Sequence, residues 1–173
     1  MNNIDIADRE ARRKTYLAMI KNSIGSRMFR SLYARVDDNV IDITWNGERS
    51  CAYFTTALLY SQGLVSSMHA TIDGAVADIL KRAGTRRNTH KREWLDLGSF
   101  DDVDAHFIPF GAVLIWESQK RKTGWYRHMG FYTDRRGWAI SLRPKTRRVE
   151  LHHYLFNGRR KLERVFVPTI LLR

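Results

Sequence analysis

Ser50-Cys51-Ala52-Tyr53-Phe54-Thr55-Thr56-Ala57-Leu58-Leu59-Tyr60 decides how the rest of the chain is read. Phe54, Ala57, Leu58 and Ser61 recur at helical spacing, and Gly63 is a natural stop. Trp45-Asn46-Gly47-Glu48-Arg49 before it reads as a loop, and the Ser50 hydroxyl is an expected N-cap. The single cysteine of the chain, Cys51, is then the first helical residue. Unpaired amides and the positive end of the helix dipole surround that position. Both favour a thiolate, so the spacing predicts a lowered thiol pKa and a cysteine nucleophile. The plainer alternative is that a lone cysteine is a small buried apolar residue.

Working outward, the helical segments precede Cys51 and follow it closely. Asp8 is a candidate first-helix start, with Leu17, Ile20, Ile24, Met28, Leu32 and Val36 on one face and Gly25 as a break. Asp37-Asp38-Asn39 is a turn, and Val40-Ile41-Asp42-Ile43 a short strand. Thr71 caps a helix carrying Ile72, Val76, Ile79 and Leu80, stopped by Gly84. Thr85 to Arg92 is a polar, basic loop. Asp101, Asp102 and Asp104 form an acidic patch without the calcium-loop pattern, so no metal is expected there.

From Pro109 the periodicity becomes that of strands. Ala112 to Trp116, His128 to Thr133, Trp138 to Ser141, Val149 to Tyr154 and Arg164 to Val167 are the expected strands. Glu117 to Lys122 reads as a charged connection, and Asp134-Arg135-Arg136-Gly137 as a tight turn. Helices first and an antiparallel meander afterwards make an α+β fold. At 173 residues the chain suits one domain spanning 1–173, with 1–44 a helical N-terminal extension packed on it.

Composition narrows the function classes. Lys and Arg number 30 against 18 Asp and Glu, a formal net charge of +12. Such a field attracts anionic polymers, whether cell wall or nucleic acid. One cysteine excludes an intrachain disulfide and a multi-cysteine metal site. Met1 to Ile6 lacks a basic stretch followed by an apolar run, so no secretion signal is expected. No stretch has the ~20 apolar residues of a membrane span.

A nucleophilic cysteine needs a base. His128 opens a predicted strand, with Gly130 clearing space beside it on the same face. If Asp134 pairs with Gly137, Tyr132 faces Ala139 and Gly130 faces Ser141. Ser141 is then diagonal to His128, where a hydroxyl could hold the second ring nitrogen. His152 and His153 on the next strand are alternatives for that third role.

These segments resemble the NlpC-type and CHAP cysteine hydrolases. The resemblance rests on Ser50-Cys51-Ala52-Tyr53-Phe54, Gly111-Ala112-Val113-Leu114-Ile115-Trp116 and His128-Met129-Gly130-Phe131-Tyr132, and spans roughly Trp45 to Ser141. It implies a papain-like fold, Cys51 as nucleophile and His128 as base. It also implies cleavage of an amide bond, in most such proteins within peptidoglycan peptides, without a cofactor. The family's third residue is His, Asn, Asp or Gln, and Ser141 departs from that. Two rival readings stand beside it. One is a basic nucleic-acid binder, with Trp94, Trp125, Tyr126 and Trp138 among its cationic clusters. The other is a silent fold that binds wall peptides without cleaving them.

Overall fold

Val113, Leu114, Ile115 and Trp116 are all fully buried, which is why this run has no polar alternation: both its faces are covered. The computed structural model describes residues 3–83, 93–99, 107–121 and 124–172. The run lies in β4 (Val113–Arg121), near the centre of a six-stranded antiparallel sheet. The other strands are β3 (Trp94–Asp96), β5 (Gly124–Tyr132), β6 (Trp138–Arg143), β7 (Arg148–His153) and β8 (Leu162–Pro168). Their order is β3-β8-β4-β5-β6-β7. With α1 (Asn3–Asn22), α2 (Cys51–Ser61) and α3 (Ile72–Ala83), the described residues form an α+β fold.

The helices cover one face. Phe54 of α2 and Tyr16 of α1 meet Phe131 edge-on, with ring centroids 5.7 and 6.1 Å apart. Val113, Ile115, Met129, Ile140, Leu142 and Val149 complete this layer. The opposite face carries Leu114, Trp116, Tyr132, Ala139 and Val165, roofed by Tyr154, Leu155 and Phe156 from the segment after β7. Asn157 and Gly158, both at positive φ, lie in that segment as the expected turn.

Helix α2 spans the interval predicted, with a different cap. The Ser50 side chain makes no capping hydrogen bond and leans toward the Arg30 carbonyl. The C-terminus follows the Schellman pattern: Gly63 at φ 66° donates to Tyr60, and Leu64 donates to Leu59. Thr55 and Thr56, fully buried, donate their hydroxyls to the Cys51 and Ala52 carbonyls four residues back. Thr71 caps α3 as read, accepting from the Gly74 amide at 3.2 Å. No helix among the described residues is long and apolar enough to cross a membrane.

Three expectations are corrected. Residues 1–44 are not helical throughout: α1 ends at Asn22, and Tyr33–Val36 (β1) pairs with Asn39–Asp42 (β2). Ile24, Met28 and Val36, taken for an apolar helical face, are exposed; the 3.6-residue recurrence continued by coincidence into a hairpin. The first helix begins before Asp8. The charged residues after Trp116 continue β4 past a bulge and pair with β5 from Gly124 onward. His128 therefore sits inside a long strand rather than opening one. That hairpin arm is partly exposed, with Trp125 69% accessible, so charge marks it as solvated rather than as a loop. Gly84, the loop 85–92 and the acidic patch 101–104 lie outside the described residues.

Candidate active site

The loop before Cys51 is held by Asp42. Its carboxylate accepts from the amides of Leu32, Thr44 and Asn46 and from the Thr44 hydroxyl. Burial opposes its ionisation, but these bonds outweigh burial and hold the carboxyl well below the usual range. Trp45, Asn46 and Gly47 follow at positive φ, turning the chain sharply toward α2. Arg49 stacks over Trp45, 3.8 Å from the ring centroid, and donates to the Tyr126 hydroxyl at 2.9 Å. The segment entering α2 is thereby tied to β5.

Helix α2 lies on the Met129 side of the sheet, whereas His128 points to the other side, beside Trp116 and Phe156. The two groups still share a cleft of about 400 Å³, lined by Cys51, His128, Tyr126, Trp125 and Thr71. The register shows how. Strands β5 and β6 pair at Phe131↔Ile140 and Tyr132↔Ala139, at the end of β5 remote from Gly124. Cys51, at the tip of α2, lies against β5 where the Met129 amide stabilises its sulfur. That amide belongs to the peptide bond joining residue 129 to His128.

The environment of the thiol differs from the expected one. Burial pushes the Cys51 thiol up, and this outweighs the Met129 and Ala52 amides and the Arg160 charge, which all favour the thiolate. At this half-buried position the loss of solvation outweighs the helix start. Cys51 at rest is a protonated thiol that needs a base.

The turn register read from the sequence is the one observed: Tyr132 faces Ala139, and Gly130 lies against Ser141. Ser141 is fully buried and bonded to two imidazoles, His128 Nε2 at 2.8 Å and His152 Nε2 at 2.7 Å. The direction of this chain follows from its far end. His152 Nδ1 lies 2.9 Å from the His153 carbonyl, which can only accept, so Nδ1 carries the proton. Burial, aided by the positive charge of Arg143, lowers the His152 pKa to about 4, leaving the ring neutral near pH 7. Its Nε2 is then an acceptor, and Ser141 donates to it. A hydroxyl has one proton, so Ser141 accepts from His128 Nε2–H. In neutral His128 the lone pair is therefore on Nδ1.

His153 joins the chain through its carbonyl, while its ring Nδ1 accepts from the Leu155 amide at 3.2 Å. His69, whose Nε2 is 2.9 Å from Asp78 Oδ2, belongs to a separate contact between α3 and the chain after α2. Sequence reasoning missed Phe156, which stacks on His152 with ring centroids 4.3 Å apart, and Arg160, which donates to the Tyr126 carbonyl at 2.8 Å. The apolar triplet Tyr154-Leu155-Phe156 before Asn157-Gly158 was the signal for the first. Arg160 stands among other basic residues and carried none. Among the described residues, no three His, Cys, Asp or Glu side chains converge to hold a metal ion. No protein-family model, curated protein or solved structure matches the chain.

Proposed function

We propose that this protein is a papain-like cysteine hydrolase that cleaves an amide bond through a thioester, with peptides of the peptidoglycan type as the leading substrate class. The observations that carry the reading are the directed chain His128–Ser141–His152 and the cleft that Cys51 and His128 line together. His128 takes the Cys51 proton as sulfur attacks the substrate carbonyl. The Met129 and Ala52 amides, which favour negative charge on the sulfur, ease that transfer. The imidazolium then protonates the leaving amine, and water releases the acyl group by the reverse sequence. Ser141 fills the orienting role that the family gives to a longer polar side chain, with His152 fixing its hydroxyl.

Alkylation by iodoacetamide tests the pairing without knowledge of the substrate. With the thiol pushed up, labelling of Cys51 is expected to be slow below neutral pH and to climb on the alkaline side. His128→Ala should slow it near neutrality; equal rates in the two proteins would defeat the reading and favour a silent binding fold.

The orienting chain has its own signature. Ser141→Ala leaves two buried imidazoles without their shared partner and is expected to lower turnover by ~10-fold or more at an unchanged KM, a part of the ~10²–10⁴ a positioned base supplies. His152 adds a pH dependence whose sign follows from its depressed pKa. The unfolded chain protonates this ring near its ordinary value, and the folded chain only near 4, so stability declines as pH falls from about 6.5 toward 4. In His152→Gln that decline should shrink in thermal melts across the same window; an unaltered profile would place the neutral ring elsewhere.

A further inference from the structure

A second pocket, of about 540 Å³, opens beside the cleft, and His128 and Pro144 line both. Its charge is lopsided. Among the described residues, Arg143, Lys145, Arg159 and Arg160 line it with one carboxylate, Glu150. The pocket also has an aromatic floor. Phe156 stacks on His152, and the Arg143 guanidinium lies 4.8 Å from the Phe156 ring centroid. Lys145 and Arg159 stand exposed on the rim. Collecting like charges around a concavity costs self-repulsion, which an incoming anion relieves, and a cleft wall of low dielectric strengthens that attraction.

The geometry points to an oxyanion subsite: this pocket takes a carboxylate or phosphate group carried by the substrate on one side of the bond that Cys51 attacks. The inference rests on the hydrolase reading, because the shared lining at His128 is what places the anion next to the reacting thiol. It makes the substrate an anionic amide rather than a neutral peptide. The basic character of the chain then acts at the site and not merely as a solvated surface.

Paired alkylating reagents test this. Iodoacetate is anionic and iodoacetamide neutral, and both react with the same sulfur. At mildly alkaline pH the ratio of their rates at Cys51, divided by that for N-acetylcysteine amide, should exceed unity by about tenfold. Lys145→Gln/Arg159→Gln removes two exposed rim charges and should lower that ratio several-fold while leaving the iodoacetamide rate unchanged. Lys14→Gln/Lys81→Gln removes two charges remote from the pocket and should leave the ratio in place. Inorganic phosphate or acetate, at ionic strength matched with sodium chloride, should slow iodoacetate selectively. Selective protection by phosphate alone identifies a phosphoryl group, and by acetate alone a carboxylate.

A ratio near unity, an equal fall in both double variants, or protection by neither anion would overturn the subsite. Those outcomes leave the hydrolase reading standing if iodoacetamide labelling still depends on His128. Loss of that dependence removes the hydrolase reading and the subsite with it.

Discussion

Cys51→Ala is expected to abolish turnover of any amide substrate, and His128→Ala to reduce it by ~10²–10⁴-fold. The two losses differ in kind. Without the sulfur no thioester forms, so what remains is the uncatalysed background. Without the imidazole the sulfur remains, but burial favours the thiol and the proposed base is gone. The residual rate of His128→Ala should therefore rise with pH as hydroxide deprotonates the sulfur, while Cys51→Ala stays flat. Circular dichroism and thermal melts would show whether each variant keeps its fold. Turnover in Cys51→Ala comparable to wild type would remove the mechanism.

The second large effect is on stability. A methyl group built on Gly130 would lie 2.4 Å from the Ile140 carbonyl oxygen and 2.7 Å from Ser141 Cβ. One obstacle is backbone and the other the root of a fully buried side chain, so neither can swing away. Gly130→Ala must push β6 off β5 where the two strands pair, and a loss of about 3 kcal/mol is expected, at the upper end of ordinary overpacking costs. The same displacement lengthens the bond between His128 and Ser141. Activity should thus fall further than the change in melting temperature accounts for. A Gly130→Ala protein with the melting temperature of wild type would show that the strands are not seated this closely.

Much of this was legible in the residues because the signals were short-range. Helix α2 declared itself by spacing and by Gly63, and the Asp134–Gly137 turn set the register that brings Ser141 to His128. Other features depend on partners far along the chain. Arg160, more than a hundred residues from Cys51, joins its surroundings through the roof over the sheet, and no local pattern marks it. The strand ends at 117–121 and 124–127 look like a loop because strand alternation fades where the sheet is partly exposed. The thiol misled for a related reason: helix position is readable in sequence, whereas depth of packing is a property of the assembled molecule.

The last acceptor in the imidazole–hydroxyl relay is the main-chain oxygen of residue 153. Peptide oxygens are common to every amino acid, so the polarity of the relay is indifferent to which side chain occupies that position. Replacing residue 153 therefore leaves the relay's last acceptor in place, at the cost of the bond its ring accepts from the Leu155 amide, whereas position 141 admits only a group able to give one proton and accept another.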